Sequence, residues 1–446
     1  MDALIIIFIT ALIGLFVGMM KKPNLTLVIS VLGLSVAFVV MSYYGKYSSL
    51  FNNFDGLKFD TYHWLFAELV IGLSLLITIS GFQYFKNEIE HTADYYGLLY
   101  FSVCGALVLI GSTNFFMFFL GVEILSIPVY VLVGIKKSNL LSSEASIKYF
   151  FTGSFATAIL LFGIALVYGA TGTFDFSELQ TLFDANSPMA IVGILFIFAA
   201  LLFKIGAVPF HFWSPDVYEG SPNPVTAHMG TVVKVAGLTS IVTLFGHTFS
   251  AATDIVVPLF YVTTIGSLFM GYLSALKQTN FRRLIAYSGI SNTGFAMLTL
   301  FSGNFISLWI FLLGYTAATL GLLTISQVLE KSNSDEIVNW KGIGYKNPFL
   351  GVVLLVFFLS LAGIPPLTGF FAKMILLINT YENHPIMVYL TLITSIIGAF
   401  LYIRFILNAF AKESNAEQIR IHPLNIFVLS VCTLVVFFSW IIILYV

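Results

Sequence analysis

The chain has 446 residues, a net charge of −1 and a 59% hydrophobic composition, with only 9% Asp, Glu, Lys or Arg. A soluble protein carries about 25% charged residues, so there is too little charge to cover a water-facing surface, and with no basic tract nucleic acid is not an expected partner. Forty-six Phe, twenty-one Tyr and a mean hydropathy of +0.97 point to an all-α polytopic membrane protein whose surroundings are the lipid bilayer.

A helix needs about 20 mostly apolar residues to cross the hydrocarbon, and on that measure the sequence predicts fourteen spans. The first three, at 3–20, 25–44 and 63–82, make an N-terminal segment over 1–94. The first follows only Asp2, with no basic stretch and no A-x-A site, so it is expected to be retained rather than cleaved. Spans four to eight lie at 95–111, 114–135, 148–170, 188–213 and 224–246. Spans nine to thirteen lie at 254–275, 284–301, 305–329, 348–379 and 385–411, and the last at 424–446. Loops are short throughout.

Charge bias supports this count. With both termini outside, the loops after odd-numbered spans are cytoplasmic and hold Lys21, Lys22, Lys86, Lys136, Lys137, Lys277, Arg282, Arg283, Lys331, Lys341, Lys346, Lys412 and Arg420. The opposite face holds only Lys46 and Lys58. Thirteen against two is a strong positive-inside asymmetry, and one miscounted helix would scramble it.

Two spans contain breaks. The 32 residues of 348–379 would reach about 48 Å as one helix, against about 30 Å of hydrocarbon, and AGIPPLTG at 362–369 interrupts them with Pro365 and Pro366. The 188–213 span breaks similarly at Gly206–Pro209. Freed backbone groups at membrane depth need protein or water around them, and transporters place ion chemistry at such breaks. The breaks are five spans apart, which predicts two inverted five-helix repeats, over 95–248 and 249–411, with 412–446 as a C-terminal helix. Discontinuous helices 7 and 12 are the matching members.

Charges inside the spans are the candidates for chemistry, because an ion in lipid is expensive unless it faces another polar group. Glu123 lies within the fifth span, Lys204 five residues before Pro209, Lys234 centrally in HMGTVVKVAGL with His228 six residues earlier, and Lys373 after the double proline. Glu144 and Lys148, four apart on one helical face, are expected to pair at the cytoplasmic end of the sixth span. Desolvation favours a neutral lysine and a nearby carboxylate a charged one, so a buried Glu–Lys pair is a simple proton switch, and a row of them couples over distance. Structural readings compete. Arg404 and Lys148 suit snorkelling to the interface, Glu68 a structural or interfacial role, His211 a cap on the broken helix, and Pro128 a packing kink. His247 and His422 read as interfacial, and Cys104 and Cys432 as packing residues without metal-ligand spacing.

The stretches GVEILSIPVYVLVG, EASIKYFFTGSFATAILLFG, FKIGAVPFHFWSPDVYEGSPNPVTAHMGTVVKVAG, KQTNFRRLIAYSGISNTGF and LAGIPPLTGFFAK closely resemble the antiporter-like membrane subunits of respiratory complex I. Within them the chain is most similar to the N branch of bacterial proton-translocating NADH-quinone oxidoreductases, called subunit 2 elsewhere. The L and M branches and the Mrp antiporters read PDAMEG and PTPVSA where this chain has PDVYEGSPNPVTA. The resemblance places the family's helix-five glutamate on Glu123, its lysines of helices seven, eight and twelve on Lys204, Lys234 and Lys373, and its sixth-helix lysine on Lys148. It implies that Glu123 and Lys204 form a modulating pair, that Lys234 connects laterally and that Lys373 faces the exit. His228 and Glu144 are weaker candidates. The resemblance also implies proton transfer from cytoplasm to outside across a bacterial inner membrane, driven by quinone reduction in partner subunits. Flavin mononucleotide, iron–sulfur clusters and quinone belong to those partners, since this chain has no dinucleotide fingerprint, cysteine cluster or haem site. The expected neighbours are subunits M and K. The alternatives are an Mrp-like subunit exchanging cations for protons, and a structural scaffold with incidental ion pairs.

Overall fold

The structure, a computed structural model, describes residues 2–44, 56–60, 62–86, 89–184, 186–249, 252–330, 335–412 and 420–445. Lys46 and Lys331, counted above in the charge bias, lie outside these residues. Thirteen helices among the described residues are long and apolar enough to cross a membrane, and the shorter Pro348–Ala362 makes a fourteenth, in agreement with the predicted number.

The first three spans are α1 (Asp2–Met19), α2 (Pro23–Tyr44) and α3 (His63–Phe85). Then come α4 (Ile89–Gly111), α5 (Phe115–Val133) and α6 (Leu140–Thr171), with a short α7 (Phe176–Leu182) in the following loop. The seventh span is α8 (Pro188–Ile205) and α9 (Trp213–Gly220). The eighth is α10 (Asn223–His228), a π-helical turn (Met229–Val233), α11 (Lys234–Thr243) and a second π-turn (Leu244–Thr248). Next are α12 (Thr253–Ala275), α13 (Phe281–Met297) continued by α14 (Thr299–Ser302), and α15 (Phe305–Leu329). A one-turn α16 (Ile343–Lys346) precedes the twelfth span, α17 (Pro348–Ala362) and α18 (Thr368–Tyr381), and then α19 (Pro385–Ala409) and α20 (Pro423–Phe438) complete the chain with a 3-10 turn (Ser439–Tyr445).

Both interrupted spans end their first half in the same way. Gly206 and Gly363 adopt the left-handed conformation at φ +67° and +78°, which only glycine reaches without strain. Each half then closes with a Schellman pair. Gly206 N–H donates to Phe203 O and Ala207 N–H to Leu202 O, while Gly363 N–H donates to Ser360 O and Ile364 N–H to Leu359 O. A proline follows each, and the peptides Val208–Pro209 and Pro365–Pro366 are cis. The surroundings also correspond, since α4 lies along α5 as α12 lies along α13, and α6 packs on α8 as α15 packs on α17.

Several elements depart from the expected boundaries for physical reasons. α6 begins at Leu140 rather than 148, because the Asn139 side chain caps the free N–H groups of Leu141 and Ser142. Its 32 residues span about 48 Å, so the first turns project past the hydrocarbon and leave Glu144 and Lys148 exposed. The π-turns in the eighth span carry no sequence signal, because periodicity is invisible in a helix buried on all sides. The core runs through the centre of the molecule, where α13, α15 and the eighth span are buried nearly all round.

Candidate functional site

Three lysines are buried at the centre, Lys204, Lys234 and Lys373. Each is held by uncharged oxygen. Lys204, in the last turn of α8, donates from Nζ to Ser126 Oγ at 2.5 Å. Ser126 in turn donates to Val122 O on its own helix. Lys234, just past the first π-turn, donates to Gly289 O at 2.6 Å and Thr293 Oγ1 at 3.0 Å, with the Tyr315 ring 5.7 Å away. Lys373 donates to Leu361 O at 2.6 Å and lies 4.3 Å from the centre of the Phe295 ring. Leu361 O belongs to the last turn of α17, so Lys373 satisfies a carbonyl released by the break and sits at the negative end of a half-helix.

The break in the seventh span is satisfied by other groups. Trp213 Nε1 donates to Phe203 O at 3.0 Å, its ring stacked on Tyr149 at 4.5 Å, and Thr293 Oγ1 reaches Ile205 O at 3.4 Å. Thr293 Oγ1 therefore lies between the Lys234 ammonium and the backbone at the end of α8.

His228 is fully buried and its Nε2 bonds Ser102 Oγ at 2.8 Å, while Ser102 also donates to Leu125 O at 2.9 Å. This contact depends on the close approach of α4 and α5. A Cβ on Gly105 would fall 2.1 Å from Leu125 N, and one on Gly121 2.6 Å from Leu109 N, so the two backbones touch and Ser102 meets the turn that carries Ser126. Nδ1 of His228 is buried without a partner.

Glu123 lies half-buried on α5, one turn before Ser126. No ion pair joins it to Lys204; the lysine is bonded to Ser126 instead. The structure thus brings the two residues of the expected pair to the same stretch of α5 but leaves a serine in the carboxylate's place.

Glu144 and Lys148 do pair, at 2.7 Å, in a wider network that short-range spacing did not predict. Lys148 also binds Asp216 at 2.8 Å, and Arg283 binds Asp216 at 2.7 Å and Glu219 at 2.8 Å. The network ties α6, α9 and α13 around a cavity of about 130 Å³. Nearby, Arg282 bonds Asp335 and Ser221 O, each at 2.5 Å.

The remaining candidates meet other groups. Glu68 accepts from Ser42 at 2.7 Å. Arg404 is exposed and reaches Leu276 O at 3.4 Å. His211 is buried beside Phe212 within the break, and its Nδ1 has no partner. His247 stacks on Phe305, and His422 bonds Gln83. Outside the spans, Asp60 accepts the Tyr62 and His63 N–H groups and the His63 ring at 2.7 Å. His63 continues to Thr243 at the end of α11. Burial works against the Asp60 charge, yet the bond and charge of His63 outweigh it and hold the carboxyl below its ordinary value. Among the described residues no group of three or more His, Cys, Asp or Glu could hold a metal ion.

Sequence reasoning missed Ser102, Ser126, Gly289 and Thr293. The run YSGISNTGF in the tenth span carried a signal, since small hydroxyl and glycine residues there replace the large apolar ones a lipid-facing helix needs.

The sequence profile of the family described as NADH:quinone oxidoreductase/Mrp antiporter, transmembrane, matches residues 112–398. A NADH-quinone oxidoreductase subunit N of Cytophaga hutchinsonii is 37% identical over 93% of this chain and 91% of its own length. The subunit N of Flavobacterium psychrophilum is 34% identical over 93% and 92%. Among solved structures, a chain of respiratory complex I from Thermus thermophilus, solved with bound aureothin, superposes with a TM-score of 0.82 at 26% identity, covering 98% of this chain and 96% of that one. A chain of an archaeal membrane-bound sulfane sulfur reductase shares the fold, with a TM-score of 0.82 at 24% identity over 98% and 93%. With its interrupted seventh and twelfth spans and this likeness along nearly its whole length, the chain belongs to the NADH:quinone oxidoreductase/Mrp antiporter transmembrane family.

Proposed function

We propose that the chain is a proton-translocating membrane-arm subunit of a NADH-quinone oxidoreductase, carrying protons from cytoplasm to outside as quinone is reduced elsewhere in the complex. The observation that carries this reading is the set of three buried lysines, each bonded to hydroxyl or carbonyl oxygen beside a helix break, a π-turn or both. A lysine so placed can change charge without breaking a structural ion pair, and like charges in a low-dielectric interior act on one another over distance. Lys204 and Glu123 form the modulating end, Lys234 the lateral station and Lys373 the exit station. His228 is a side branch from Ser102, and Lys148 and Glu144 belong to the entrance network. The functional units are two inverted repeats, 95–248 and 249–411, flanked by 1–94 and 412–446.

The chain performs no redox chemistry of its own. Flavin mononucleotide, iron–sulfur clusters and quinone are bound by partner subunits, among which the neighbours are subunits M and K. It lies in the bacterial inner membrane with both termini outside, a placement supported by the thirteen-to-two charge asymmetry. The subunit N relatives support the respiratory role over cation exchange by an Mrp-type antiporter.

The test is Lys204→Ala in the assembled complex. Proton uptake into proteoliposomes and coupled quinone reduction fall, while hydride oxidation by artificial acceptors is retained. Normal proton uptake in that variant overturns the reading.

A further inference from the structure

Ser126 lies one turn beyond Glu123 on α5 and is fully buried. Residues three apart on a helix share a face, with Cβ atoms about 5–6 Å from each other. The hydroxyl hydrogen of Ser126 is committed to Val122 O, so its oxygen is left to accept, and Lys204 Nζ fills that place at 2.5 Å. The Lys204 stem approaches α5 from the end of α8, beside Gly237 of α11. From there a flexible four-carbon chain can reach either the hydroxyl or the carboxylate one turn earlier.

We propose that Ser126 is a positioning residue that gives Lys204 a second, uncharged seat, so that the lysine alternates between the Ser126 hydroxyl and the Glu123 carboxylate. This rests on the reading of Lys204 as a proton-transfer group. On Ser126 the amino group keeps a hydrogen bond without a counter-charge. Swung to Glu123, it forms an ion pair that holds its proton. Without the serine the lysine has one partner only, and the pair loses its open state. The serine itself neither gains nor loses a proton, since its hydrogen stays on its own oxygen and is donated to Val122 O.

The experiment uses complexes carrying Ser126→Ala, Ser126→Cys, Ser126→Thr, Glu123→Gln and the Ser126→Ala/Glu123→Gln double, each checked for assembly and thermal stability. Proton uptake per hydride oxidised is measured in proteoliposomes. A hydrogen bond to a charged group is lost in Ser126→Ala, so uptake falls by roughly tenfold or more. Ser126→Cys, which keeps the size but offers a poor acceptor, falls alike, whereas Ser126→Thr keeps both hydroxyl and back-bond and restores most of the uptake. The double is no worse than Glu123→Gln, because either change alone removes the alternation. Wild-type uptake in Ser126→Cys, no rescue by Ser126→Thr in a stable complex, or losses that multiply in the double overturn the proposal. Lys204→Ala separates the two levels: normal uptake there removes the underlying reading, while impaired uptake there with normal Ser126 variants removes only the second seat.

Discussion

Gly289→Ala tests the Lys234 station without touching the lysine. A Cβ at this position would lie 2.8 Å from Lys234 Nζ and 3.2 Å from the Tyr315 hydroxyl. Non-bonded heavy atoms settle near 3.5 Å, so Nζ must retreat by about 0.7 Å. It is the free end of a flexible chain, so it yields before the α13 backbone does. The retreat stretches its 2.6 Å bond to Gly289 O to about 3.3 Å, past the usual range. A bond to a charged group contributes about 1.5–3 kcal/mol, so losing it shifts the occupancy of this seat by roughly tenfold or more. Alanine in a helix interior meanwhile gains about 0.5–1 kcal/mol over glycine, so assembly is retained. The assay compares quinone-driven proton uptake with hydride oxidation by an artificial acceptor in the same preparation. Uptake falls about tenfold and hydride oxidation does not change. An assembled Gly289→Ala complex that pumps at the wild-type rate refutes the assignment of Lys234 as a station.

Two further predictions concern charges nearer the surface. Lys148→Ala has a milder effect on proton uptake than Lys204→Ala, because Lys148 is exposed and Arg283 still holds Asp216 and Glu219; equal losses in the two variants contradict this. Asp60→Asn lowers thermal stability at neutral pH by a small amount, since Asp60 is only partly buried and its contact with the His63 ring, an ion pair only when that ring is protonated, is screened. The folded state holds this carboxyl below its ordinary 3.8, so its contribution is present above that pH and is lost as pH falls below it. Melting curves of the variant and wild type therefore converge in acid, and a gap that stays constant below pH 3.8 counts against the pairing.

Much of this architecture was legible because the chemistry is local. Proline and glycine within a few residues announce a break at Gly206 or Gly363, and four-residue spacing announces the Glu144–Lys148 pair. What stayed hidden depends on approach between distant segments. Ser126 and Ser102 look inert in sequence, because a helical serine can bond its own preceding carbonyl. Only the contact of α4 and α5 at Gly105 shows that their oxygens face a lysine and a histidine. Asp216, Glu219 and Arg283 are separated from Lys148 by 68, 71 and 135 positions, too far for spacing to report their meeting. Lys204 bonds Ser126, one helical turn beyond the expected partner Glu123, a choice no sequence pattern encodes.

Neither Lys234 nor Lys373 has a carboxylate partner among the described residues; peptide oxygens and a threonine stand in that role. Peptide oxygens cannot be neutralised by acid, so the fields around these two amines are fixed once the chain has folded. Of the groups along the row, Glu123 alone offers a counter-ion whose charge can be switched. In the proposed pathway the array is therefore lopsided, with a tunable terminal at one end and invariant sockets beyond it, and a signal arriving at the tunable end would have a built-in direction of travel.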